Sequence, residues 1–234
     1  MTVQETVQSA LSVVCDDQVN IACAGRTDSG VHATGQVIHF DVNKPRTDVG
    51  LLRGGNSHLP PDVRLLWVGQ VPDDFHARFS AQSRSYTYIL DTSCQHMPAF
   101  QPWTVWYPRP LDLVSIQKGM QILTGEHDFA SFQASGCQAP HARRRIIDFH
   151  LAQSGPFVYL NVTANAFVYR MVRKMVGALL EVGRGRQPVG WISELLKVPA
   201  SAETPPHLAK GLHLTHVAYE SKSVPQWHQY FNGL

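Results

Sequence analysis

Asp28 lies in the stretch of this sequence that gathers the most reactive side chains, Gly25–Ala33, which reads Gly-Arg-Thr-Asp-Ser-Gly-Val-His-Ala. An apolar run over 19–23 precedes it and an alternating run over 36–41 follows, which predicts a loop between two strands. A carboxylate on such a loop can act as a nucleophile or a base without a cofactor, and a nearby guanidinium favours its ionised form. On the residues alone, Asp28 fits equally well as a turn-forming aspartate that bonds its own backbone.

Composition limits the classes of protein to which the chain can belong. Its 234 residues are 44% hydrophobic and 16% charged, which is typical of a globular protein with a substantial core. A formal net charge of +2 permits nucleic-acid binding without demonstrating it. The sequence has no apolar run of 18 residues, and no basic, apolar leader follows Met1, so we expect a cytoplasmic protein.

The usual motifs for metal and cofactor chemistry are missing from the sequence. The 12 histidines form no HExxH or HxH pair, and the glycines around Asp28 do not fit GxGxxG. There is no P-loop and no GxSxG motif either. The four cysteines are scattered without a CxxC pair, which argues against a zinc site and a disulfide framework. We therefore expect neither a metal nor a cofactor.

Hydrophobic periodicity predicts an α+β chain. The first half is predicted to hold an amphipathic helix from Val3 behind a capping box at Thr2–Glu5, a weak helix over 48–53 broken by Gly54-Gly55, and strands over 63–71 and 85–90. The proline-rich segment 94–110 predicts a boundary. Strands that come in adjacent pairs favour two α+β halves over a parallel βαβ sheet.

The second half is predicted to have the same α+β organisation. It is expected to contain a helix capped by Asp112, a hairpin joining 146–151 to 157–163, and a long helix from Val168 that Gly183 ends. In that long helix the sequence places Arg170, Arg173 and Lys174 together on the polar face. Cations are routine on such a face, so their pattern alone assigns them no function.

The stretch Gly25–Ala33 closely resembles the signature of the TruA family of tRNA pseudouridine synthases. Other blocks resemble family blocks in the same order, namely Asn56–Pro60, Phe75–Ala81, Arg84–Tyr88, Gly125–Phe129 and Asn165–Arg173. The resemblance extends over essentially the whole chain. Several long motifs in a fixed order are far more specific than any one short pattern.

The resemblance implies a fold. It implies two pseudo-symmetric, ferredoxin- or RRM-like halves whose strands form one extended, mostly antiparallel sheet with helices on one face. Residues 1–105 would be the N-terminal catalytic half that carries the Asp28 loop. Residues 106–234 would be the C-terminal half that carries the Arg173 helix.

The resemblance also implies a reaction, the isomerisation of uridine to pseudouridine in the anticodon stem-loop of tRNA, at positions 38, 39 and 40. The N1–C1′ bond breaks, the base turns, and a C5–C1′ bond forms. Asp28 would be the catalytic aspartate, which either attacks C1′ or removes the C2′ proton, and the sequence leaves both routes open. Because nothing is transferred to water, the second carboxylate of a glycosidase is not needed.

Three more residues gain roles in substrate binding from the resemblance. Tyr86 corresponds to the tyrosine that packs on the target base, and Arg26 to a residue that helps hold the flipped-out nucleotide or its phosphate. Arg173 corresponds to the arginine that pairs with the catalytic aspartate. Without the family, Tyr86 is an ordinary strand aromatic and the arginines are solvated cations. His32 is expected to support the loop rather than transfer a proton.

Family members work as homodimers on tRNA and usually begin with a strand that carries Tyr-Asp-Gly and Gly-Trp-Gln segments. This sequence starts at the first helix, so we expect its N-terminal sheet to lack that strand and the 234-residue form to be less stable than one that includes it. The main alternative is an RNA-binding protein that has no turnover because the strand is missing. A weaker alternative is a nucleoside hydrolase, for which no motif supplies a second acid.

Overall fold

The computed structural model describes residues 1–137, 139–198 and 206–220. The chain divides into two compact units. Of the described residues, the first unit comprises Met1–Gly25, Val37–Ala81 and Tyr219–Glu220, and the second comprises those within Arg26–Gln36 and Gln82–Ala218. The Asp28 loop therefore belongs to the second unit. The expected pseudo-symmetry between residues 1–105 and 106–234 stays a prediction.

The described residues form five α-helices and nine strands. The helices are α1 (Val3–Cys15), α2 (Asp48–His58), α3 (Leu113–Leu123), α4 (Met171–Gly183) and α5 (Trp191–Leu195). The strands are β1 (Ala22–Cys23), β2 (His32–Ala33), β3 (Ile38–His39), β4 (Ser83–Asp91), β5 (Val105–Trp106), β6 (Gly125–Asp128), β7 (Arg143–Ser154), β8 (Phe157–Ala164) and β9 (Leu212–Ala218). The predicted α+β class is confirmed.

In the first unit, α1 begins as the sequence predicts. The backbone N–H of Glu5 donates to Thr2 Oγ1 at 3.2 Å, and the N–H of Thr2 donates to Glu5 Oε2 at 2.6 Å, so the capping box is formed. Val7 and Leu11 lie on the buried stripe of the helix and pack in one core with Leu51 of α2.

The sequence predicts that this helix breaks at Gly54-Gly55. That prediction is wrong, because helix α2 continues to His58. A Cβ on Gly54 would lie 3.0 Å from Val14 Cγ1 of α1, and a Cβ on Gly55 would lie 2.6 Å from Leu65 Cδ1. The two glycines therefore allow neighbouring side chains to approach the helix closely, and this packing outweighs their low helix propensity.

The strand predicted over 63–71 is not formed. The backbone N–H of Leu65 donates to Asn56 Oδ1, and the Asn56 amide donates back to the Leu65 carbonyl, both at 2.8 Å. The side-chain amide thus satisfies the groups that a neighbouring strand would otherwise bind. Apolar content was a guide neither to strand pairing nor to full burial here, since Leu66 is 60% exposed and Val63, Leu65 and Val68 are only partly buried.

The second unit contains a sheet of seven strands in the order β2-β9-β4-β8-β7-β6, with β5 beside the end of β4. The neighbours are antiparallel except for the pairs β2–β9 and β4–β5. The predicted hairpin is β7–β8, where Ser154 pairs with Phe157 and Gly155 takes a φ of 54°. In the first unit, β1 and β3 form a separate antiparallel pair.

One face of the large sheet is buried. On β4 the residues Arg84, Tyr86, Tyr88 and Leu90 are buried, and those between them are partly exposed. Helix α3 packs against both α4 and β7 and contributes to the same core. No described helix is long and apolar enough to cross a membrane.

Helix α4 begins at Met171 rather than at the predicted Val168. Arg170 before it adopts the left-handed conformation, with φ 59° and ψ 14°, so the chain turns before the helix starts. The sequence places Lys174 on the polar face of this helix. The structure shows instead that Lys174 is buried and donates to the Ser131 carbonyl at 2.6 Å.

A close approach of two backbones holds β2 against β9. The N–H groups of Thr34 and Gly35 both donate to the Leu214 carbonyl, at 2.9 and 3.1 Å. A Cβ on Gly35 would overlap the carbonyl of Thr215. Only glycine therefore allows the end of the Asp28 loop to lie on β9.

We expect Gly35→Ala to lower the free energy of unfolding by about 1–3 kcal/mol, because a clash with backbone cannot be relieved by rotating a side chain. Chemical denaturation measures this quantity. The matched control is Gly190→Ala, where a Cβ would meet nothing within 4 Å and where φ is −59°. Equal losses in the two variants would contradict the proposed close approach.

Candidate active site

An ion pair joins the two residues that the sequence places at the centre of the site. Arg173 Nη1 donates to Asp28 Oδ2 at 2.6 Å. The two side chains are only 13% and 18% exposed, so the charge of the carboxylate is compensated where water is scarce. The expected pairing of Arg173 with Asp28 is thus observed, although the catalytic role of the pair stays a prediction.

Arg170 provides a second cation at the same carboxylate oxygen. Its Nε lies 3.7 Å from Asp28 Oδ2, and its side chain is 39% exposed. The left-handed backbone at this residue costs an L-amino acid about 1–2 kcal/mol, and such local strain often accompanies functional sites. The sequence pattern placed Arg170 only among the cations on the polar face of the long helix. Its spacing of three residues from Arg173 was the signal that both could meet one partner.

Arg173 is itself held by a neighbouring segment. Its Nε donates to the His207 carbonyl at 2.7 Å, and the N–H of His207 donates to the Arg173 carbonyl at 3.0 Å. The guanidinium therefore has two acceptors, one at Nε and one at Nη1, that fix its plane. No pattern in the sequence pointed to His207.

Paired histidines support the loop that carries Asp28. In the parallel pair β2–β9, His32 lies opposite His213, and their rings stack with centroids 4.9 Å apart. His32 Nε2 bonds the Pro102 carbonyl at 2.8 Å, and His213 Nε2 bonds the Trp103 carbonyl at 2.7 Å. Because a carbonyl only accepts, both Nε2 atoms carry a proton. His32 therefore anchors the loop.

Tyr86 lies on β4, close in the sheet to the end of the Asp28 loop. Ala33 pairs with Leu214, and Leu214 pairs with Tyr86. Two strand spacings separate Ala33 and Tyr86, which is about 10 Å. The Tyr86 ring is buried and meets Phe167 edge to face, with centroids 5.1 Å apart.

Arg26 lies at the surface, two residues before Asp28. Within the part of the chain that the structure describes, it makes no ion pair. Its guanidinium is therefore available to an anionic ligand, whereas that of Arg173 is already engaged. Among the described residues no group of three or more His, Cys, Asp or Glu side chains is arranged to hold a metal ion.

The arrangement is one carboxylate fixed by two guanidinium groups on a well-anchored loop. Both ion pairs are made through Oδ2, and neither arginine bonds Oδ1. A carboxylate held in this way can attack an electrophilic carbon or accept a proton at Oδ1.

Comparison with known proteins gives a consistent result. A family model described as tRNA pseudouridine synthase matches residues 120–220. The chain is 44% identical over 229 residues to the tRNA pseudouridine synthase A of Hydrogenovibrio crunogenus, covering 96% of this chain and 87% of the relative. It is 43% identical over 225 residues to the enzymes of that name from Salmonella paratyphi B and Salmonella newport, covering 94% of this chain and 82% of each relative.

Two histidines at the site, the buried His213 and the half-buried His207, predict how stability depends on pH. Burial lowers the pKa of His207, and the charge of Arg173 lowers it further. Burial also lowers the pKa of His213, with His32 adding to the effect and the bond to Trp103 opposing it. Both histidines thus hold a proton less readily in the folded chain than in the unfolded one.

We expect the free energy of unfolding to fall as pH drops below about 6.5, the ordinary pKa of histidine, because the unfolded chain then binds more protons. The loss should level off once the pH is below the folded pKa values. Urea denaturation at a series of pH values measures it. His213→Gln, which keeps a donor for the Trp103 carbonyl but cannot titrate, should show a shallower fall, and an unchanged slope would contradict the assignment.

Proposed function

The chain belongs to the tRNA pseudouridine synthase A family, and we propose that Asp28 is the group with which it isomerises uridine to pseudouridine in tRNA. We place the target uridines in the anticodon stem-loop, at positions 38, 39 and 40. The observation that carries the proposal is the ion pair between Asp28 and Arg173, at 2.6 Å. It fixes a reactive carboxylate within the motif that characterises the family.

The reaction needs only one such carboxylate. The N1–C1′ bond breaks, the uracil turns, a C5–C1′ bond forms, and the proton from C5 is replaced in the product by one at N1. Atoms are conserved, so neither water nor a cofactor is consumed. In one route Asp28 attacks C1′ as N1 leaves, forms a transient ester, and is displaced when C5 bonds C1′. In the other it takes the C2′ proton as N1 leaves, which gives a glycal, and returns that proton to C2′ as the C5–C1′ bond forms. Oδ1 serves in both routes.

The two guanidinium groups favour either route electrostatically. Arg173 and Arg170 hold the Asp28 carboxylate in place and compensate its charge, and Arg173 does so in a site of low exposure, where electrostatic interactions are strong. Because both cations are already in place, little reorganisation is needed during the reaction.

Substrate binding requires the target nucleotide to leave the base stack. We assign Tyr86 to pack on the flipped base, since its ring is held edge to face by Phe167. We assign Arg26, which is exposed, to the flipped nucleotide or its phosphate. Arg143 and Arg145, exposed on β7, are further phosphate contacts.

We also propose that the protein acts in the cytoplasm as a homodimer. Light scattering coupled to size exclusion should give twice the mass of one chain. Addition of unmodified tRNA should then increase this mass by the mass of bound RNA. A mass equal to one chain at micromolar concentration would contradict the homodimer.

We expect the purified protein to form pseudouridine in unmodified tRNA, mapped by carbodiimide treatment and primer extension to positions 38–40. Asp28→Ala should abolish the product, a loss of at least about 10³-fold, because the reacting group is removed. Asp148→Ala is the matched control, since this aspartate is exposed and pairs with His150. It should leave the rate unchanged.

Three other outcomes would count against the proposal. Modification that survives Asp28→Ala would refute the role of Asp28. Binding of tRNA without any modification by the unmutated protein would favour an RNA-binding protein without turnover. Release of free uracil would favour a hydrolase.

A further inference from the structure

We propose that Tyr88 is a positioning residue for this site, which acts by fixing the backbone segment that aims Arg173 at Asp28. The inference rests on the proposed role of Asp28. Tyr88 lies on β4, two residues after Tyr86, and is fully buried. It is separated from the carboxylate by a chain of hydrogen bonds rather than touching it.

The hydroxyl of Tyr88 holds two groups of one segment. It lies 2.7 Å from His207 Nδ1 and 2.7 Å from the Leu208 carbonyl oxygen. The hydroxyl has a single proton, and a carbonyl can only accept. Tyr88 therefore donates to Leu208 and accepts from the Nδ1–H of His207, which fixes the tautomer of that imidazole.

The same segment binds Arg173 from the other side. The His207 carbonyl accepts the Arg173 Nε–H at 2.7 Å, and the His207 N–H donates to the Arg173 carbonyl at 3.0 Å. Residues 207 and 208 are thus tied by two bonds to β4 and by two bonds to the start of α4. A guanidinium is planar and rigid, so its Nε bond to His207 sets the direction of Nη1 toward Asp28.

The packing around the Tyr88 ring keeps the segment close. A Cβ on Gly211 would lie 2.9 Å from Tyr88 Cζ and 3.0 Å from Val105 Cγ2. The 3₁₀ turn Ala209–Gly211 follows Leu208 directly, so a glycine lets the chain continue across the ring. The segment can therefore reach the hydroxyl without displacing β4.

Removal of the Tyr88 hydroxyl should release Arg173 from its fixed orientation without unfolding the site. Without its oxygen, the Leu208 carbonyl and His207 Nδ1 lose their partner, and the segment is expected to shift away. Arg173 would then lose the acceptor that orients its Nε. The aspartate would remain present but would be less well oriented for reaction.

The test compares Tyr88→Phe with Tyr219→Phe. Tyr219 is the matched control because it is also buried and its hydroxyl donates to a backbone carbonyl, that of Ala77, at 2.6 Å. We expect Tyr88→Phe to lower kcat about tenfold to hundredfold with KM for tRNA changed less than about threefold, since a small misplacement of a reacting group has effects of this size. Tyr219→Phe should lower thermal stability comparably and leave kcat unchanged.

A second pair of variants keeps the test informative if Tyr88→Phe does not fold. His207→Asn retains an amide donor near the position of Nδ1, whereas His207→Ala does not. We expect the asparagine variant to recover most of the kcat that the alanine variant loses. Equal kcat values for these two variants, or equal losses in the two tyrosine variants, would overturn the proposal.

One further readout does not depend on activity. The Nε–H of Arg173, assigned by its disappearance in Arg173→Lys, should give a slowly exchanging NMR signal in the unmutated protein and in Tyr219→Phe. The signal should exchange rapidly in Tyr88→Phe. If the unmutated protein fails to modify tRNA but shows this pattern, the proposed function fails and the positioning role stands. Rapid exchange in the unmutated protein would overturn the positioning role.

Discussion

A carboxylate that is largely withdrawn from water has to keep positive charge beside it, and this requirement organises the second unit. Asp28 is only 18% exposed, and its partner Arg173 is 13% exposed. The loop, the start of α4 and the segment at His207 must all be in place for the pair to form. The hydrogen bonds described above for the active site each hold the Asp28 loop, the start of α4 or the segment at His207 in place.

The loop is secured with little regular structure. Strand β2 has two residues, too few for a ladder to fix its register, so the register depends on other contacts. Gly35 lets the chain touch β9, and the histidine pair ties β2 and β9 to the carbonyls of Pro102 and Trp103. A short, closely packed strand can place a loop accurately while leaving its tip open to a large substrate.

Short-range sequence patterns predict part of this structure correctly. The capping box at Thr2 and the β7–β8 hairpin follow from short-range rules, and the resemblance predicted the observed pairing of Arg173 with Asp28. The rest depends on distant neighbours. The left-handed turn at Arg170, the buried Lys174 and the Asn56 amide that replaces a strand are each decided by partners that no local pattern reveals. The hydrogen bonds that join Tyr88, His207 and Arg173 are decided in the same way.

Because β2 pairs with β9, the site around Asp28 cannot assemble until β9 has been synthesised. Asp28 and Arg173 are 145 residues apart in the chain, and Tyr88 and His207 are 119 apart. A ribosome that adds about 5–20 residues per second makes the Asp28 loop roughly 10–40 seconds before it makes β9. Through that interval the nascent chain carries the family signature but no assembled site. The non-local contacts that close the site are slow to form, so the site can assemble only after β9 has been made.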